Sequence, residues 1–199
     1  KSNTSLQILD LMGNGLDDEC IATIALALSD HPAIQFLCLD FNEFGTEGTR
    51  AIGCFLQTNK HIEELHLCCN GIDCAGATAL ANGIRHNTSL HTLLLTFNDI
   101  GDDGVSQLAQ ALTINTTLKK LWIPSNRVRY NGLSALGQAI PNMKGLRELH
   151  VGDFYETNGA SELLDGIKNN TTLTSLYFQS AISFIHTEEG DEEETSHDR

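Results

Sequence analysis

Six aliphatic residues recur every twenty-eight positions, at Leu6, Ile34, Ile62, Leu90, Leu118 and Leu146. Five asparagines keep the same interval at Asn14, Asn42, Asn70, Asn98 and Asn126. A fixed interval of this length argues against a globule built around one centre. It requires a stack of one supersecondary unit, each copy too small to bury its apolar face without neighbours.

The unit is clearest between residues 90 and 117. Leu93 and Leu95 alternate with Thr92, Leu94 and Thr96, the period-two pattern of a short strand with the two leucines pointing into the stack. Asn98 follows in a turn with Asp99 and Gly101; a buried carboxamide there can donate and accept together, bridging its own repeat and the next. Val105, Leu108, Ala109 and Leu112 then recur at helical spacing, and Asn115-Thr116-Thr117 returns the chain to the next strand. Gly48, Gly76, Gly104 and Gly132 align where each helix begins and the backbone must approach its neighbour.

The phrase L-x-x-L-x-L-x-x-N-x-L, followed by a helix, resembles the leucine-rich repeat of the ribonuclease-inhibitor-like class, seen also in NOD-like receptor repeats and Ran GTPase-activating proteins. The resemblance runs from residue 3 to about 180 and implies an α/β solenoid, a horseshoe arc with parallel strands on the concave face and helices on the convex face. The register predicts a repeat domain over residues 1–186, with about seven units, and an acidic disordered tail over 187–199. It slips once: Leu146 to Leu173 spans twenty-seven residues, and Phe154 stands where asparagine is expected. The turn 152–158 is therefore read as a local distortion or a reshaped site. The chain opens in register, with no atypical unit shielding Leu6, which predicts that further sequence precedes it.

Twenty-six acidic against twelve basic side chains give a formal charge of −14. Seven acids and one arginine between Glu188 and Arg199 account for −6 of it, leaving −8 on the repeats. Neither part offers the basic face that nucleic acid or an anionic membrane requires. No apolar run approaches the ~20 residues of a membrane span. The six cysteines, Cys20, Cys38, Cys54, Cys68, Cys69 and Cys74, do not pair at a repeating spacing and read as reduced thiols of a cytoplasmic protein. Five glycosylation-type triplets begin at Asn3, Asn87, Asn115, Asn169 and Asn170; they fall in the polar turn before the strand leucine, so the repeat accounts for them without glycans.

The outward strand positions compose the expected working face. One column reads Asp10, Cys38, His66, Leu94, Trp122, His150 and Tyr177; beside it stand Phe36, Glu64, Lys120 and Glu148, and on the other side Asp40 and Cys68. Neighbouring strands about 4.8 Å apart make these residues contiguous. Aromatic rings beside charged groups are what protein-binding hot spots use. Phe36, Asp40, Glu64, His66, Leu94, Lys120, Trp122, Glu148, His150 and Tyr177 are thus candidate contacts for a protein partner, one carrying basic groups given Asp10, Asp40, Glu64 and Glu148. Trp122 has a second reading, as a cover over Leu94. His66 and His150 read as solvated histidines able to titrate near neutral pH. Cys38, Asp40, His66 and Cys68 share one face of adjacent strands, but a flat strand array seldom converges as zinc requires, so no metal site is expected. No catalytic group, cofactor or small-molecule substrate is expected either, because no phosphate loop, carboxylate dyad or serine triad is present. The reading is a non-catalytic protein-interaction scaffold. The alternative, from the resemblance to Ran GTPase-activating proteins and the acidic tail, is a GTPase regulator, with Arg127 and Arg129 the only arginines clustered on a loop.

Overall fold

The computed structural model describes residues 3–152 and 160–178. Seven three-residue strands, β1 (Ile8–Asp10), β2 (Phe36–Cys38), β3 (Glu64–His66), β4 (Thr92–Leu94), β5 (Lys120–Trp122), β6 (Glu148–His150) and β7 (Ser175–Tyr177), form one parallel sheet in sequence order. Between them lie α1 (Asp18–Leu28), α2 (Thr46–Thr58), α3 (Cys74–His86), α4 (Gly101–Leu112), α5 (Tyr130–Ala139) with a short 3-10 turn at Ile140–Asn142, and α6 (Ala160–Lys168). Strands pair only with sequence neighbours and helices pack on sequence neighbours, as a solenoid requires.

Register follows the repeat. Leu9, Leu37, Leu65, Leu93, Leu121, Leu149 and Leu176 stand opposite one another. From Leu37 to Leu149 this column is at most 1% exposed, and Leu95, Leu108 and Leu112 join it in one continuous core. Gly104 shows why a side chain is excluded at the helix start: a Cβ there would lie 2.6 Å from Ile100 Cγ2 and 3.0 Å from Ala77 Cβ.

The asparagine ladder is built, and it points the other way. Asn98 Nδ2 donates to Leu95 O and to Leu67 O, both at 2.9 Å. Its Oδ1 accepts from Asn70 N at 3.1 Å and Ile72 N at 3.0 Å. The carboxamide therefore joins its own repeat to the preceding one, not to the next. Asn42, Asn70 and Asn126 likewise reach backward.

A second ladder runs along the helix-to-strand turns. Asn59, Asn87, Asn115 and Asn170 each donate to two carbonyls of the preceding repeat and accept from two amides of their own. Asn87 and Asn115 are 2% and 5% exposed, and with Asn170 they make three glycosylation-type triplets whose amide nitrogens are committed to carbonyls of the preceding repeat. His31 holds the equivalent place; its Nδ1 takes Ala33 N at 3.3 Å and its Nε2 is buried without a hydrogen-bond partner.

The expected slip begins at Gly152. The residue before each ladder asparagine is left-handed at Gly13, Phe41, Cys69, Phe97 and Ser125, and that conformation recurs at 152, one place early. Phe154 and the acidic tail expected from residue 187 lie outside the described residues. Among the described residues, no helix is long and apolar enough to cross a membrane.

Candidate functional site

In-register pairing places Cys38, His66, Leu94, Trp122, His150 and Tyr177 on successive strands, with Phe36, Glu64, Thr92, Lys120, Glu148 and Ser175 beside them. Side-chain packing divides this face into two clusters, with Leu94 between them.

The cluster on β5–β7 is aromatic and braced by charge. Trp122 Nε1 donates to Glu148 Oε1 at 2.8 Å. Lys120 Nζ lies 3.4 Å from the same oxygen and 4.1 Å from the Trp122 ring centroid. The indole is thus held by a hydrogen bond on its edge and a cation on its face, and both fixed partners reduce the ordering cost of a later contact. His150 packs edge-on to Trp122 at 5.3 Å and tilted to Tyr177 at 5.7 Å between centroids. Tyr177 is 40% exposed, whereas His150 is 1% exposed. The expectation of a solvated His150 is corrected: large rings on both neighbouring strands lean over it, so it supports the aromatic row from below.

The cluster on β2–β3 is polar. His66 Nε2 bonds Glu64 Oε1 at 2.7 Å, and His66 Nδ1 stands 4.0 Å from Asp40 Oδ2. Phe36 packs edge-on to the His66 ring at 4.9 Å. Asp40 Oδ1 accepts from Cys68 N at 2.5 Å, and burial pushes the Asp40 carboxyl above its ordinary range despite that bond. Burial, reinforced by the Asp40 charge, raises the Cys38 thiol to about 11 and the Cys68 thiol to about 12. At neutral pH both are thiols, and a protonated sulfur is a poor nucleophile. The expectation that the strand array would not bring ligand atoms together is also corrected. One donor atom from each of Cys38, Asp40 and His66 lies within 4.8 Å of the others. Direct opposition of Cys38 and His66, with Asp40 two residues along the same face, produces the convergence.

The sequence reading passed over two rim residues. Phe41 and Phe97 are 55% and 38% exposed, each at φ 55. Bulky side chains are uncommon in that conformation, which glycine adopts freely, so exposed phenylalanine there carries a backbone cost with no burial in return. Their place just before Asn42 and Asn98 in the repeat was the available signal. On the same loops Arg127 pairs with Asp99 at 2.9 Å, and Arg129 N donates to Asp102 Oδ1.

A family model described as "Leucine Rich repeat" matches residues 2–25, 58–81 and 86–109. Comparison with curated proteins finds no match. Among solved structures, the chain is similar to actin-binding site 2 of leiomodin-1, with a TM-score of 0.57 and 14% identity over 85% of this chain and 83% of that one. It is similar also to the tropomodulin C-terminal domain of Caenorhabditis elegans, with a TM-score of 0.55 and 14% identity over 85% of this chain and 86% of that one. At such identity the likeness is one of fold. Repeat matches, in-register parallel strands and the likeness of fold agree: the chain folds as an α/β leucine-rich repeat solenoid.

Proposed function

We propose that this chain is a non-catalytic protein-interaction module that takes its partner on the concave strand face, centred on Trp122 and Tyr177. The observation that carries this reading is the braced aromatic row: Trp122 fixed by Glu148 and Lys120, next to a Tyr177 that is 40% exposed. Part-exposed tryptophan and tyrosine with immobilised charges beside them have the composition of an interface anchor. Phe36, Asp40, Glu64, His66 and Leu94 extend the face toward β2, and its acidic members favour a partner bearing basic groups. His150 contributes by holding both rings. The six free cysteines and the buried amides of Asn87 and Asn115 support a cytoplasmic setting. The GTPase-regulator reading draws less from the geometry, since Arg127 is engaged by Asp99.

Affinity capture from lysate with the wild-type chain and a Trp122→Ala/Tyr177→Ala variant of unchanged circular dichroism tests the reading. Purified actin, for which the leiomodin-1 site is named, is the first defined probe. Retention of a partner by wild type and its loss from the variant is the expected result. Equal retention by both moves the working face to the helices or the rim and refutes the assignment.

A further inference from the structure

We propose that Cys38, Asp40 and His66 form a zinc site on the concave face, with Glu64 orienting the histidine ligand. The site shares Asp40, Glu64 and His66 with the outer part of the proposed partner face but not its centre, Trp122 and Tyr177, and zinc binding is measured without a partner.

The first support is donor chemistry. Thiolate sulfur, imidazole nitrogen and carboxylate oxygen are the three protein ligand types of zinc, and three protein ligands leave a fourth position for water or an incoming group. Cys38 is 4% exposed, and His66 and Asp40 are part-buried, so the donors face one another across two strands instead of bulk water.

The second support is the tautomer. Glu64 as a carboxylate can only accept, so Nε2 is the donor in the 2.7 Å contact, and in the neutral ring the tautomer so selected carries its lone pair on Nδ1. That lone pair stands 4.0 Å from Asp40 Oδ2. Two acceptors facing each other at this distance share no hydrogen bond. The gap suits a cation bound to both: zinc lies about 2.0–2.2 Å from nitrogen and oxygen ligands and about 2.3 Å from sulfur, so tetrahedral donors stand roughly 3.3–3.6 Å apart. The present donors, all within 4.8 Å, reach that spacing by side-chain shifts of at most about 1.5 Å. A carboxylate on the far ring nitrogen is the arrangement that fixes metal-ligating histidines. The other oxygen of Asp40, Oδ1, accepts from Cys68 N, so Oδ2 is the oxygen turned toward His66.

Binding is a simple exchange. The Cys38 thiol gives its proton to solvent as the Zn–S bond forms, and no electrons move; a coordinating thiol is deprotonated by the metal itself. Phe36, edge-on to His66, walls one side of the site.

Zinc titration of chelator-stripped protein against a chromophoric competitor tests this, with cobalt substitution to report sulfur ligation. Wild type is expected to bind one equivalent and to show a thiolate-to-cobalt charge-transfer band. His66→Gln and Cys38→Ser should each weaken binding at least tenfold, and Cys38→Ser should abolish the band. Glu64→Gln should weaken it 10–100-fold, the usual loss for an orienting partner. Cys54→Ser, an exposed thiol elsewhere, should change nothing. Circular dichroism checks each variant, and if Cys38→Ser misfolds, His66→Gln and Glu64→Gln carry the test. Absence of binding, binding indifferent to His66 and Cys38, or loss on Cys54→Ser overturns the proposal.

Discussion

Replacing Asn98 by alanine removes one side chain and strands three backbone groups, Leu67 O, Asn70 N and Ile72 N, while Leu95 O keeps Asn126 Nδ2 at 2.7 Å. Asn98 is 5% exposed; its Nδ2 serves Leu67 O and Leu95 O, and its Oδ1 serves Asn70 N and Ile72 N. A buried backbone group left without a partner costs about 1–3 kcal/mol, so three of them set a range of about 3–9 kcal/mol before relaxation. Water entering the vacated turn offsets part of this, and the lower end, about 3 kcal/mol, is expected. That matches the about 2–5 kcal/mol for truncating a core leucine such as Leu93, although alanine here removes no apolar surface. Because stability in a solenoid is shared between neighbours, the damage should concentrate where β3 meets β4, and unfolding should lose its single step. Asn14 is the control: it is exposed and its side chain donates once, to Met12 O at 3.1 Å, so Asn14→Ala should cost under about 1 kcal/mol. Urea unfolding followed by circular dichroism gives the difference. Hydrogen exchange locates it, with the amides of Asn70 and Ile72 losing protection first. Comparable costs at Asn98 and Asn14, or unchanged protection at Asn70 and Ile72, would refute the claim that the carboxamide ladder couples the repeats.

Other substitutions test other parts of the fold. His31→Asn should raise the unfolding midpoint, by about 1 kcal/mol of stability, because it removes a buried unpartnered Nε2 and restores the two-amide acceptor of the second ladder; a lowered midpoint in urea counts against that ladder. Gly83→Ala gains about 1 kcal/mol of helix propensity but puts a Cβ 2.5 Å from Gly53 O and 3.0 Å from Leu56 Cβ, so a net loss of about 1–3 kcal/mol is expected in thermal unfolding, and a gain would show that α2 and α3 separate freely. Stability should fall as pH rises above 9: Cys38 and Cys68 hold their protons to about 11 and about 12 in the fold but release them near 9.0 once unfolded, so the stabilising difference is complete below 9 and is lost above it. A Cys38→Ala/Cys68→Ala variant should show a shallower alkaline decline, and an identical slope would dismiss these thiols as its source.

The sequence made the strands and core columns legible because a side chain's direction in a short strand depends only on parity, and parity repeats every twenty-eight residues. Leu93, Leu95, Leu108 and Leu112 are buried as their spacing requires. The backward reach of Asn98 was not legible, since a carboxamide can serve either neighbour and only the turn's three-dimensional course decides. The second ladder was visible merely as polar turns, because His31 and Met143 interrupt its column. Gly53 and Gly83 escaped notice for a related reason: they meet across α2 and α3 from different columns, and the same approach recurs only at Gly137 and Gly166, three repeats along and across the slip. On the face, His150 is buried by rings on flanking strands, and Cys38, Asp40 and His66 converge through an in-register offset. Both are properties of pairs of strands, which a list of outward residues does not contain.

The division of the face by Leu94 has a consequence for how its halves work. His66 on β3 and Trp122 on β5 are two strand spacings apart, about 9.6 Å, with Leu94 on β4 between them. Substitutions at such separations with no shared partner add to within about 0.3–0.5 kcal/mol; the ion pairs of His66 lie within β2–β3 and its loop, and those of Glu148 with Trp122 and Lys120 lie within β5–β6. Trp122→Ala/Tyr177→Ala should therefore leave zinc affinity within about twofold, and His66→Gln should leave partner capture largely intact unless the partner covers both clusters. Leu94→Ala discriminates further. If the halves communicate through packing, it should weaken zinc affinity although Leu94 supplies no ligand atom; if the strands alone position the ligands, zinc affinity should stay within the same twofold. The second result is expected, because Cys38, Asp40 and His66 are placed by the backbone register of β2 on β3, and that register is set by Leu37 and Leu65 inside the stack rather than by Leu94 on its face.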